Sequence, residues 1–349
     1  MQFGLMLRGN FARGDDMRAR LEEHLEQVRL ARDLGFASIT KGSHYSTHPF
    51  QGFQQLPFLT RVAAEAPEMR LVAGIILLPL HKPLDLAEQL ATIDIMSGGK
   101  LTVGVGLGYR EVEFKAFGTS KKESLRRFNE NLEAIRRLWS EEKVWMRGSH
   151  FELDGASCST KPLQKPHPPI WIGANADGGI RRAGRLGLPW YINPHNRLDT
   201  IERQMELFRE ELDEAGHTPP QEIPMRREVF VAESREEALR LCGPYLKKKY
   251  DSYHQWGQDK AMPEGDNDFG VQLEELIEDR FILGSPDDVA GQITRLNRRL
   301  GVNHLIISLQ WPGMPHALAL DTMRLMAGEV FPRVWREVAV SETTDKETG

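Results

Sequence analysis

Residues 71–105 read LVAGIILLPLHKPLDLAEQLATIDIMSGGKLTVGV, and this stretch decides the fold. Residues 71–77 form a continuous apolar run, the length of a buried strand. Pro83 stands where a helix starts, because a first-turn residue has no N–H bond to lose. Behind it Leu84, Ala87, Leu90, Ala91 and Ile95 recur at helical spacing. Residues 101–105 are a second apolar run. Strand, helix, strand in this order predicts parallel pairing, since parallel neighbours need a crossover.

The same unit repeats in both directions. Upstream, residues 2–7 and 36–40 read as strands. Between them residues 18–34 carry Leu21, Leu25, Val28 and Ala31 near one helical face, and Gly35 ends that helix. Residues 53–66 give another helix. Downstream, Leu125, Phe128, Leu132, Ile135 and Leu138 mark a long helix. Residues 140–168 then break the rhythm with Trp145, Phe151 and four prolines (Pro162, Pro166, Pro168, Pro169), which reads as a surface excursion with a hairpin. Strands follow at 170–173, 190–192, 226–232 and 302–309, each succeeded by a helical pattern. Residues 243–283 are polar and irregular and read as an inserted lid after the seventh strand. The end, 337–349, is polar and is expected to be disordered. These repeats predict an α/β fold, a (β/α)8 TIM barrel in a single domain over 1–336; a doubly wound open sheet is the alternative.

Composition narrows the function. The chain has 349 residues, with 45 Lys+Arg against 50 Asp+Glu and a net charge of -5, which argues against a nucleic-acid partner. Two cysteines, Cys158 and Cys242, exclude a disulfide scaffold and a cysteine zinc site. No apolar run is long enough to span a membrane. The opening MQFGLMLRGNFARGDD lacks a leader pattern, so a cytoplasmic enzyme or ligand binder is expected.

A barrel puts its active site at the carboxyl ends of the strands. That rule selects Arg8, His44, Tyr45, Gly74, Ile75, Gly106, Leu107, Gly108, Tyr109, Arg110, Gly173, Ala174, Asn175, Asn193, Pro194, His195, Gln310 and Trp311. Gly104, Gly106 and Gly108 alternate at the end of the fourth strand; they admit either a flat ligand or close packing of the barrel. Residues 173–179, GANADGG, turn into a helix whose exposed amides suit a phosphate, although Asn175 also reads as a helix cap. His44 and His48 lack an acidic companion and no HExxH occurs, so no metal site is expected. GASCS at 155–159 is not a serine-hydrolase elbow. No GxGxxG fingerprint occurs, so reducing equivalents from NADH would have to arrive through another protein or a diffusing cofactor.

Taken in order, SHYSTHPF after the second strand, LPLHKPLDLAE after the third, GVGLGYREVEFKAFG after the fourth and KPLQKPHPPIWIGAN with RRAGRLGLPW resemble the bacterial luciferase-like flavin-dependent monooxygenases. The resemblance covers roughly residues 1–336. It implies a barrel that binds reduced FMN, or in a sister branch the deazaflavin coenzyme F420. It implies that His44 is the active-site histidine and that Gly74–Ile75 is a non-proline cis peptide against the flavin. The phosphate turn would be Ala174, Asn175, Ala176, Gly178 and Gly179, with Leu107 and Tyr109 beside the cofactor. Luciferase has a phosphate-binding arginine at the position of Leu107, so the expectation is either that Arg110 or Arg181 substitutes or that phosphate binding is weak. The implied reaction uses a C4a-peroxyflavin from reduced FMN and O2 to oxidise a small organic substrate. A separate NAD(P)H:flavin reductase and a homo-oligomer, dimer or tetramer, are expected with it. Hydride transfer by a deazaflavin enzyme and flavin binding without turnover are the alternatives.

Overall fold

The computed structural model describes residues 1–7 and 9–348, and of residues 341–348 only the backbone. Its strands are β1 (Gln2–Met6), β2 (Ser38–Lys41), β3 (Arg70–Leu77), β4 (Leu101–Gly106), β5 (Val144–Arg147), β6 (Glu152–Ala156), β7 (Ile170–Ala174), β8 (Trp190–Ile192), β9 (Pro224–Val231), β10 (Ile282–Gly284) and β11 (His304–Ser308). The helices are α1 (Met17–Asp33), α2 (Gln55–Glu65), α3 (Pro83–Met96), α4 (Glu111–Ala116), α5 (Ser124–Ser140), α6 (Asp177–Arg185), α7 (Leu198–Glu214), α8 (Arg235–Gln255), α9 (Leu273–Ile277), α10 (Pro286–Leu300), α11 (His316–Leu325) and α12 (Phe331–Thr348).

Parallel pairing runs β11-β1-β2-β3-β4-β7-β8-β9, and β9 pairs back onto β11. The sheet is therefore a closed eight-stranded barrel, as expected, and the open sheet is excluded. β10 lies outside the ring and pairs only with the end of β9. β5 and β6 form the expected antiparallel hairpin.

Local chemistry sets the boundaries. The Asp16 carboxylate accepts the Arg18 and Ala19 amides and starts α1. Ser285 and Asp288 form a capping box with Pro286 at the first turn of α10. The main core lies between barrel and helices, from Leu5 and Ile39 to Val289 and Leu305. A smaller cluster, Met6, Val72, Trp171, Tyr191 and Ile306, fills the barrel lumen. Below it Ser38 Oγ donates to His304 Nε2 at 2.9 Å, and His304 Nδ1 donates to Glu222 at 2.9 Å.

One expectation is corrected. Residues 243–255 are not irregular but complete α8, because Leu246, Tyr250 and Tyr253 recur at helical spacing among the lysines. They build a second core with Phe269, Leu276 and Phe281. The backbone of α12 runs to Thr348. Among the described residues no helix is long and apolar enough to cross a membrane.

Candidate active site

The carboxyl ends of the barrel strands open into a cavity of about 560 Å³, within the range ligand pockets take. His44, Gly74, Ile75, Leu107, Tyr109, Gly173, Ala174, Asn175, Ala176, Gly179, His195 and Trp311 all line it. Tyr253, Gln258, Lys260, Ala261 and Met262, from the segment after β9, form part of its wall. Arg8 lies outside the described residues. The other predicted residues have different surroundings.

Arg110 is buried and faces away from the cavity. Its guanidinium donates to the carbonyls of Tyr45 (2.6 Å) and Ser46 (3.0 Å) and lies 4.4 Å over the Trp256 ring. These bonds clamp the loop that carries His44. Tyr45 turns into a neighbouring hollow and packs on Phe117. Gly178 stands outside the wall, in the first turn of α6.

Gly106 is also behind the wall, and the reason is Ile75. The Gly74–Ile75 peptide is cis, as expected. The Ile75 side chain occupies the groove left by Gly104, Gly106 and Gly173; a Cβ on Gly106 would stand 2.3 Å from Ile75 Cδ1. The glycine row on β4 thus admits a protein side chain rather than a flat ligand. Replacing Gly106 with valine is expected to lower stability by about 1–3 kcal/mol through overpacking. In urea unfolding, the added change Ile75→Val recovers part of that loss, since it removes the blocking methyl.

His44 has a partner that the sequence did not announce. Its Nδ1 lies 3.1 Å from Glu113 Oε1. The same oxygen accepts the Tyr45 amide at 2.8 Å and Arg110 at 3.3 Å. A carboxylate only accepts, so Nδ1 carries the proton and Nε2 keeps the lone pair. Tyr109 packs edge-on against the imidazole, with centroids 5.8 Å apart. Burial pushes the Tyr109 hydroxyl well above its ordinary range, with Tyr253 and Glu113 adding to the effect. Glu113 sits one helical turn beyond Arg110, and that spacing was the only signal for it.

At the end of β7, α6 begins at Ala176 with no side-chain cap, so Asn175 is not the cap. Arg182, six residues further on, lines the cavity. Arg181 instead points outward to Glu211 at 2.8 Å. Of Arg110, Arg181 and Arg182, it is Arg182 that lines the cavity.

Across the cavity, β9 turns Arg226 and Glu228 inward. Glu228 is fully buried; it accepts Trp311 Nε1 at 2.6 Å, lies 3.5 Å from Arg226 and pairs closely with Lys249. Burial pushes its carboxyl up, but Lys249 and Arg226 outweigh that and hold it below the ordinary range. His195 Nδ1 meets the Tyr250 hydroxyl at 3.1 Å. Burial, then Lys249 and Arg226, hold the His195 imidazole well below its ordinary value, which keeps it neutral. Charged residues alternating inward on a barrel strand were the signal for Arg226 and Glu228. His254, Asp259 and Asp268 bring ligand-type atoms within 4.8 Å of one another, but none of the three lines the cavity.

A sequence profile described as luciferase-like monooxygenase matches residues 1–304. The chain belongs to the luciferase-like monooxygenase family. Within that family it is 28% identical over 260 residues to an FMNH(2)-dependent dimethylsulfone monooxygenase of Pseudomonas putida, covering 70% of each chain. It is 25% identical over 238 residues to the oxygenase component of a flavin-dependent trigonelline monooxygenase of Acinetobacter baylyi, covering 67% of this chain and 66% of that one. The solved monooxygenase RslO1 of Streptomyces bottropensis aligns over 95% of this chain and 99% of its own, at 30% identity and a TM-score of 0.81. An F420-dependent secondary alcohol dehydrogenase aligns over 95% and 98%, at 19% identity and a TM-score of 0.77, a likeness of fold alone. The luciferase-like chain is thus an oxidoreductase built on this barrel.

Proposed function

We propose that this chain is the oxygenase component of a two-component monooxygenase. It would receive reduced FMN from a separate NAD(P)H:flavin reductase in the cytoplasm and oxidise a small organic substrate with dioxygen. The observation that carries the reading is one cavity that joins an uncapped helix N-terminus beside Arg182 to the His44–Glu113 pair. The named activities of the two relatives support it.

The residues fit FMN. The α6 terminus and Arg182 offer amide dipoles and a charge to a phosphate. Leu107, Tyr109, Ala174 and Ala176 line the wall around that terminus, where a ring system would lie. Bound reduced FMN supplies the electrons with which dioxygen is activated. His44 would hold or move a proton at Nε2, with Glu113 fixing its tautomer. Tyr253 and Met262, from the segment after β9, would exclude water. The paired histidine speaks against flavin binding without turnover.

Anaerobic titration tests the cofactor. Reduced FMN is expected to bind more tightly than reduced riboflavin, and Arg182→Gln to erase about tenfold of that preference. Equal affinity for the two flavins overturns the phosphate site. Binding of reduced coenzyme F420 with no binding of FMN turns the reading to hydride transfer. Flavin oxidation by air without product formation, across a substrate panel, removes the monooxygenase assignment.

A further inference from the structure

Five cationic side chains line the cavity: Lys121, Arg182, Arg226, Lys249 and Lys260. Among the described residues no aspartate or glutamate lines it, in a chain whose net charge is -5. In the reading above Arg182 belongs to the cofactor phosphate. Arg226 and Lys249 stand elsewhere, on β9 and α8. In the ring order β9 is four strands from β3 in either direction. Arg226 therefore stands across the barrel from the Gly74–Ile75 peptide, while the Tyr191 ring reaches over to Gly74, where a Cβ would stand 3.3 Å from it.

Two cations there share one carboxylate, Glu228, whose second oxygen is taken by Trp311. The patch is left with a net positive charge. Donor atoms around it lack partners: Arg226 Nε, the Tyr191 hydroxyl, Asn193 Nδ2 and Gln310 Nε2. All four residues line the cavity. Tyr191 and Gln310 are 6% and 4% exposed, so water cannot readily satisfy them. The amides are oriented as donors, since Gln310 Oε1 accepts Gln27 at 2.8 Å and Asn193 Oδ1 accepts the His195 amide at 2.7 Å. Unpaired buried donors beside an excess positive charge are complementary to an oxyanion.

We infer that the substrate carries an anionic head group, a carboxylate or a sulfonate, held by Arg226 with Tyr191 and Gln310. The inference deepens the proposed function and rests on it for the placement of the flavin. The acid site itself belongs to the protein and is readable without FMN.

The probes are two matched pairs: benzoate with benzamide, and methanesulfonate with dimethylsulfone. Binding is measured by calorimetry on native protein and on Arg226→Gln, with and without saturating FMN. At least one acid is expected to bind about thirtyfold more tightly than its neutral counterpart, the weight of one buried charged hydrogen bond. Arg226→Gln brings that ratio within threefold and leaves FMN affinity within threefold. Which pair discriminates separates carboxylate from sulfonate. Tyr191→Phe keeps every charge and lowers acid affinity about fivefold, which serves if Arg226→Gln does not fold. No acid preference in native protein overturns the inference, as does a preference that survives Arg226→Gln. A tenfold loss of FMN affinity in Arg226→Gln also overturns it, by giving the cation to the flavin. Failure to bind FMN overturns the proposed function instead, and the arm without FMN still decides the acid site.

Discussion

Replacing His44 with alanine lowers turnover by about 10²–10⁴-fold, the range of a positioned general acid or base, while FMN affinity stays within a few-fold. The expectation follows from the 3.1 Å contact to Glu113, which leaves Nε2 as a proton acceptor at the cavity wall. Glu113→Gln keeps the shape but offers Nδ1 either an amide oxygen or an amide N–H. The wrong tautomer then becomes available, and kcat falls by about 10-fold or more with KM little changed. Steady-state kinetics on both variants check this, and added imidazole restores part of the rate to His44→Ala. Unchanged kcat in His44→Ala removes the proton role. A loss in Glu113→Gln that appears only in KM makes the carboxylate a scaffold for the Tyr45 loop.

Replacing Glu228 with leucine costs about 3–5 kcal/mol, because it strands two buried cations. Among the described residues Glu228 is the one carboxylate paired with Arg226 and Lys249. The sign of the pH dependence follows. The folded state holds the Glu228 carboxyl below its ordinary value. Its contribution is therefore complete above the unfolded pKa and is lost as pH falls through the folded one. Urea unfolding at neutral pH shows the full difference between native protein and Glu228→Leu, and the gap narrows in acid. A gap that is absent at neutral pH shows that the cations find other partners. Glu228→Leu combined with Arg226→Met recovers part of the loss, since fewer charges are then stranded.

The barrel was legible because its grammar is local. Pro83 opening α3, Gly35 closing α1 and apolar runs such as 71–77 each act within one element. Their repetition fixes the ring without any long-range information. The cavity wall was legible for the same reason, once strand ends were known. Directions were not. Arg110 sits at the right height but turns to the Tyr45 and Ser46 carbonyls, and Arg182 rather than Arg181 faces inward. One residue along a helix rotates a side chain by about 100°, so an error of one position exchanges cavity for solvent. Glu113 and Glu228 were missed because no spacing motif links a carboxylate to partners 69 and 21 positions away. The α8 extension was hidden because its apolar residues are mostly tyrosines set among lysines.

The plugged lumen has a kinetic meaning. Met6, Val72, Trp171, Tyr191 and Ile306 fill it, and the Ser38–His304–Glu222 chain lies beneath. Among the described residues the cavity is thus closed toward the amino ends of the strands, and no guest can pass along the barrel axis. A molecule held at the carboxyl ends of the strands enters and leaves on that same side of the barrel.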